Sequence, residues 1–244
     1  LLSIYSDNTI ILDCIVALNL YVDCCLKSNL DIYLLFETNF INIIIKQISY
    51  QSIKIVKNSI ILLNKLFSID KNQIILVCDD FFINTLLKLI QDREEDENIK
   101  YQTCIFLYNV INENDEILEK LSEDRDLICS LILESYSTNE SSLIQIETLN
   151  IIRLLVLKMN DDQLIYFVET YNLINLIAFN LNSSFEEIKL TSLYILEILV
   201  LKIKDYSLKN NINYLNNLNF DIIIDKDILY EISKESENKI SKRF

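Results

Sequence analysis

Ala17-Leu18-Asn19-Leu20, Leu63-Asn64-Lys65-Leu66, Leu107-Tyr108-Asn109-Val110, Ile152-Arg153-Leu154-Leu155 and Leu196-Glu197-Ile198-Leu199 are five versions of one short pattern. Aligned on Leu18, Leu63, Leu107, Ile152 and Leu196, they lie 45, 44, 45 and 44 residues apart. Self-similarity at this period predicts a stacked array of helical units, each too small to bury its own apolar face and each covered by its neighbours. A second anchor runs offset from the first: Phe40-Ile41-Asn42, Phe82-Ile83-Asn84, Leu127-Ile128-Cys129 and Leu173-Ile174-Asn175, with spacings of 42, 45 and 46. Two anchors per period require at least two helices per unit.

Between the anchors, apolar residues recur at helical spacing, as in Ile43, Ile44 and Ile48 or Leu86, Leu87 and Ile90. The helices that carry the first anchor are apolar on more than one face; from Ile195 to Leu201 only Glu197 interrupts. Such a helix must be covered on several sides, which places it in the inner layer of a solenoid. Inner helices are expected near Thr9–Lys27, Ile53–Ser68, Asn98–Ile111, Leu143–Leu157 and Phe185–Ile203. Outer helices are expected near Phe40–Ser49, Phe81–Gln91, Leu127–Ser135 and Leu173–Leu181, with short helical turns at Asn72–Cys78, Ile117–Leu121 and Asp162–Glu169. The repeats then run over about 1–49, 50–91, 92–139, 140–184 and 185–204, and 205–244 forms a degenerate last repeat or cap with a charged helix at Ile228–Ile240.

The chain of 244 residues contains no Gly, Pro, His or Trp. At average usage it would hold roughly 17 Gly and 12 Pro. The missing residues are mostly those with GC-rich codons, which points to an AT-rich genome, a designed chain being the alternative. Without Gly and Pro the usual punctuation for strands and tight hairpins is gone, and helices joined by Asn, Asp and Ser turns remain. Asn39, Asn114, Asn139, Asn160 and Asn182 are the positions expected to stand in for Gly at helix ends. No uncharged apolar run approaches the roughly 18 to 20 residues of a membrane helix, so no membrane insertion is expected. The six cysteines form no Cys-x-x-Cys pair and there is no His to complete a zinc site, so buried reduced thiols and a reducing compartment are expected.

The order of a short helix, an acid-containing turn, a Leu/Phe-Ile-x-x-Leu/Ile helix and a helix with a Leu-x-Asn-Leu-like core resembles armadillo repeats. Asn98–Val110 (NIKYQTCIFLYNV) and Val168–Leu176 (VETYNLINL) carry the resemblance best, and it covers about Thr9–Lys204. HEAT repeats share the period and the helix pairs. The chain departs from the family in the turn before the outer helix, where Asn39, Phe81, Asp126 and Asn172 replace the usual Gly. The resemblance implies an all-α, right-handed α-solenoid of about four to five repeats, followed by an atypical terminal cap.

Catalytic chemistry is not expected. Without His there is no imidazole base, and without Gly none of the usual phosphate cradles, so neither catalytic residues, nor a cofactor, nor a metal is assigned. The acidic pairs Asp79-Asp80, Asp161-Asp162 and Glu186-Glu187 read as helix-start charges favoured by the dipole rather than metal ligands. Charge is uneven: residues 92–126 hold 12 acidic and 4 basic side chains, which accounts for 8 of the 14 net negative charges. Within that stretch Glu94, Glu95, Asp96 and Glu97 form either a solubilising loop or a docking patch for a basic partner segment. Either way nucleic acid is disfavoured, since phosphate binding needs clustered Lys and Arg.

In the resemblance, the inner helices line a concave groove, and the Asn of the core and the residue one turn before it face a bound peptide. Here those positions are Val16 and Leu20, Ile61 and Lys65, Ile105 and Asn109, Asn150 and Leu154, and Tyr194 and Ile198. Only Asn109 keeps the Asn, and no Trp is present for basic side chains, which weakens a nuclear-import reading. The mostly apolar ladder suits an amphipathic helix or an apolar extended segment. A shift of one residue in helical phase would instead make these side chains core. The expected function is a non-catalytic scaffold holding a protein or peptide, cytoplasmic or nuclear, within a longer chain or complex. A trafficking adaptor, whether for nuclear import or vesicle tethering, and a regulatory or co-chaperone subunit are the alternatives.

Overall fold

The computed structural model describes residues 7–28, 34–37, 40–49, 52–91, 96–123, 141–171 and 173–210. Every regular element among them is a helix, so the all-α expectation holds. The chain divides into two compact units, Leu1–Leu118 and Glu119–Phe244. The first holds α1 (Asn8–Ser28), α2 (Leu34–Glu37), α3 (Phe40–Ile48), α4 (Ile53–Ile69), α5 (Lys71–Ile75), α6 (Asp80–Gln91) and α7 (Glu97–Glu113). The boundary falls inside α8 (Asp115–Glu123). The second unit continues with α9 (Ser142–Lys158), α10 (Asp161–Tyr171), α11 (Leu173–Phe179), a single 3-10 turn at Asn180–Asn182, and α12 (Glu186–Asn210). The expected outer helix Leu127–Ser135 and terminal helix Ile228–Ile240 lie outside the described residues. The last inner helix runs on to Asn210, so its final turns extend into the stretch expected to be a cap.

In the first unit α4 packs between α1 and α7, with α3 against α4 and α6 against α7; in the second, α12 packs on α9, α10 and α11. Neighbouring inner helices run parallel. Contacts advance together along both helices of a pair, from Asn19 with Asn58 to Asp23 with Lys65, and from Arg153 with Tyr194 to Met159 with Lys202.

The repeat is sharper in burial than in sequence. Ile55, Ile99, Ile144 and Ile188 occupy one inner-helix position, 44 or 45 residues apart, and all are buried. One turn on, Ser59, Thr103, Thr148 and Ser192 form a column of fully buried hydroxyls at the same offset. Ser59, Thr103 and Thr148 each donate to the carbonyl four residues back, at 2.7 to 3.0 Å, which satisfies the hydroxyl inside its own helix. A small polar residue there leaves room for the large ones that follow: Leu62, Phe106, Ile151 and Ile195, then Leu66, Val110, Leu155 and Leu199, all buried. Phe106 is the bulkiest of these, and its ring meets Phe67 and Phe82 edge to face at 6.0 and 5.7 Å.

Helix junctions explain how a chain without Gly turns. Asp70 ends α4 in an extended conformation (φ −142°, ψ 90°), and its carboxylate accepts from the amides of Asn72 and Gln73 to cap α5. Asn114 repeats the device between α7 and α8 (φ −133°, ψ 98°), accepting from Glu116 and Ile117. After α9, Asn160 and Gln163 form a reciprocal capping box, each side chain accepting from the other's amide at 2.9 Å. The left-handed role expected for Asn114 is therefore corrected. Its side-chain acceptor favours starting the next helix over closing the last one.

Two further expectations are revised. Cys25 and Cys104 are buried, but Cys24 is exposed and Cys14 half-buried, because α1 is covered on one side only. By length and composition α1 is long and apolar enough to cross a membrane, as are α10 and α11 taken together across a 67° bend. In α1, Ile11, Ile15, Val22 and Cys25 are buried against the rest of the unit, where the helix packs on α4, and its other side is exposed.

Candidate functional site

The expected groove positions fall into three groups. Leu20 and Tyr194 are open, at 61% and 49% exposure, and Val16 is also exposed. Ile61, Lys65, Ile105, Asn109 and Asn150 are half-buried. Leu154 and Ile198 are buried, which corrects their assignment: in the second unit the position that holds Lys65 and Asn109 in the first is filled by apolar residues that join the core. Apolar and half-exposed positions thus coexist on each inner helix, as a surface that receives a side chain requires.

Two polar columns flank these positions, and the sequence reading missed both. One turn before the Val16 position come Asp13, Asn58, Gln102, Glu147 and Thr191, at the same 44-to-45 offset; three residues after it come Asn19, Asn64, Tyr108, Arg153 and Glu197. Nine of the ten are polar and the tenth, Tyr108, carries a hydroxyl, which is the signal that was available. The second column reaches across to the next helix. Asn19 Nδ2 donates to the Asn58 carbonyl at 3.0 Å, and Asn64 Nδ2 donates to both the carbonyl and the side-chain oxygen of Gln102, each at 3.0 Å. In the second unit Arg153 takes this position and lies over the Tyr194 ring, 5.7 Å from its centroid, in cation–π geometry. Lys65 is also engaged, through an ion pair to Asp23 at 2.8 Å and a 3.5 Å hydrogen bond to the Asn19 carbonyl. These links tie each inner helix to the next within its unit.

Glu147 sits in the first polar column of the second unit. Burial raises its pKa above 4.5, the neighbouring Glu187 carboxylate raises it further, and a hydrogen bond from Asn150 opposes the shift. The folded state therefore holds a proton that the unfolded state has released as pH rises from about 4.5, and stability falls across that window. Glu147→Gln is expected to raise the urea midpoint at pH 7 and to flatten the midpoint's fall with pH above 4.5. A variant whose midpoint keeps the wild-type slope would refute this.

Of the acidic loop, Glu94 and Glu95 lie outside the described residues. Asp96 is the N-cap of α7, accepting from the amides of Asn98 and Ile99 at 2.9 and 3.3 Å, and stands 3.7 Å from Lys57. Glu97 is exposed in the first turn. The acidic pairs have similar helix-start places: Asp79 accepts from the Phe82 amide at 2.8 Å, and Asp161, Asp162, Glu186 and Glu187 occupy first turns. Among the described residues no group of His, Cys, Asp and Glu is placed to hold a metal ion. Cys78 is half-buried, and desolvation, with the Asp79 carboxylate beside it, pushes its thiol up to about 12, which keeps it protonated.

No family model and no curated protein matches the chain. Solved structures do match. Two engineered proteins are each 17% identical, with TM-scores of 0.57 and 0.56; the first alignment covers 83% of this chain and 80% of the other, the second 82% and 47%. A designed armadillo repeat protein is 14% identical with a TM-score of 0.51, over 80% of this chain and 96% of its own. The likeness is one of fold: the chain is an all-α solenoid of armadillo-like helical repeats.

Proposed function

We propose that the chain is a non-catalytic scaffold that holds a peptide or helical segment of another protein along the inner-helix faces of its repeats. The supporting observation is the arrangement on those faces. Open apolar side chains, Leu20 in the first unit and Tyr194 in the second, stand beside half-buried neighbours and between polar columns whose members are tied to the next helix. A surface of this kind offers pockets for apolar side chains and polar groups for a backbone, on rigid supports. A reducing compartment, cytoplasmic or nuclear, goes with this reading on the cysteine pattern of the sequence, which holds no Cys-x-x-Cys pair. Glu97, with Glu94 and Glu95, would add attraction for a basic flank of the partner.

The test uses peptides selected from a displayed random library against the whole chain. Leu20→Glu and Tyr194→Glu should each weaken the selected peptides at least about tenfold, or about 1.4 kcal/mol. Phe81→Glu and Phe179→Glu, at exposed apolar residues of outer helices, should leave affinity within about twofold. Equal loss in both sets, or a library that yields no binder, would overturn the reading.

A further inference from the structure

Leu157 and Leu201 occupy one inner-helix position, 44 residues apart, and are 45% and 54% exposed. In the first unit that position holds Asp23, Ser68 and Asn112, so the repeat folds with a polar side chain there and does not need leucine. The openness is no end effect. Leu157 is exposed although α12 packs beside it, and Ser68 is exposed although α7 does. Three residues earlier, Leu154 and Ile198 stand where the first unit has Leu20, Lys65 and Asn109, and they form a buried floor. Tyr194, exposed and lying under Arg153, completes an apolar furrow along the parallel helices α9 and α12. Toward the N-terminal ends of both helices the furrow meets two carboxylates, Glu147 and Glu187, which lie close enough to repel each other. From Glu147 to Leu157 is ten residues, about 15 Å of helix.

We propose that this furrow receives an amphipathic helix of a partner protein, antiparallel to α9 and α12, with a Lys or Arg of its last turn between Glu147 and Glu187. The inference rests on the scaffold reading and names the ligand of the second unit. A helix is selected over an extended segment because Leu154, Leu157, Ile198 and Leu201 offer a backbone no polar side chain, and a helix satisfies its own backbone. Charge selects the basic end, since a cation between the two carboxylates relieves their repulsion. Direction follows from the helix dipole: Lys and Arg are most favourable in a helix's last turn, so the C-terminal end of the partner meets the N-terminal ends of α9 and α12. A second copy of the chain, at net charge −14, would bring further negative charge to the same carboxylates.

The test is fluorescence anisotropy of the whole chain with a labelled, Ala-rich probe helix of about 18 residues, carrying Leu at i, i+4 and i+7 and Lys at i+11. Binding is expected at a Kd on the order of 1 to 100 μM. Leu157→Ser with Leu201→Ser, the residue the first unit carries at Ser68, should weaken it at least about 30-fold with unchanged circular dichroism. Ser68→Glu with Asn112→Glu, at the same position of the first unit, should leave it within about twofold. Glu147→Gln with Glu187→Gln should weaken the Lys probe at least about fivefold and leave a probe with Gln at i+11 within about twofold. No binding at 100 μM, no effect of the leucine substitutions, or equal effects of the carboxylate substitutions on both probes would overturn the proposal. A probe with Lys in its first turn that binds as tightly would overturn the antiparallel direction. A dimer of the chain alone that the leucine substitutions dissolve would assign the furrow to a second copy and overturn it too. Library-selected peptides that respond to Leu20→Glu and Tyr194→Glu but not to the leucine substitutions would sink this inference alone, whereas a library without binders would sink the scaffold reading as well.

Discussion

Phe106→Ala is expected to destabilise the first unit by about 3–5 kcal/mol, the cost of truncating a fully buried aromatic ring and leaving a cavity. For a unit of this size the unfolding midpoint should fall by roughly 10–20 °C. Phe106 is buried, sits directly after the hydroxyl column in the inner-helix sequence, and makes edge-to-face contacts with Phe67 of α4 and Phe82 of α6. Its removal therefore loosens an inner–inner and an inner–outer contact together. Thermal and urea melts followed by circular dichroism at 222 nm measure the loss, and Phe106→Leu should recover most of it. A drop below about 1 kcal/mol would mean that the three rings do not form a cooperative part of the core.

Lys202→Met is expected to cost the second unit about 2–4 kcal/mol, through charged hydrogen bonds lost and carbonyls left without a donor. The Lys202 ammonium donates to the carbonyls of Leu157 and Met159, both at 2.7 Å, and so closes the C-terminal end of α9 from the neighbouring helix α12. Burial lowers its pKa from the ordinary lysine value, Asp161 opposes that and Lys209 adds to it, as fits an ammonium held against the protein rather than in water. Met keeps the length and apolar stem but none of the donors, which isolates the hydrogen bonds from packing. Urea titrations of the two proteins at pH 7 provide the comparison. Unfolding free energies that agree within about 0.5 kcal/mol would reduce Lys202 to a surface contact.

Much of this architecture could be read from residue spacing because burial repeats faithfully along the chain. The inner helices α1, α4, α7 and α9 lie within two residues of their expected limits at each end. Exposure on the inner helices was legible in part. On the helical phase that exposes positions 16 and 20, Leu20 and Tyr194 are indeed exposed but Leu154 and Ile198 are buried, since a helix apolar on several faces gives no unique phase. The polar columns through Asn19, Asn64 and Arg153 and through Asn58, Gln102 and Glu147 do not follow the apolar anchors, although the same offset applied to polar residues reveals both. The exposure of Cys24 could not be read locally. It follows from α1 lacking the cover that its successors have.

Asp70 and Asn114 each occupy a single extended residue between an inner helix and the short helix after it. A one-residue corner has no slack, so an insertion there would rotate everything downstream by about 100° about the helix axis and carry buried stripes into water. The first anchors, which precede these corners, keep to 44 or 45 residues, while the second anchors range from 42 to 46. Changes in length are therefore confined to the connections around the outer helices, and those connections are where the repeats of this chain are free to diverge.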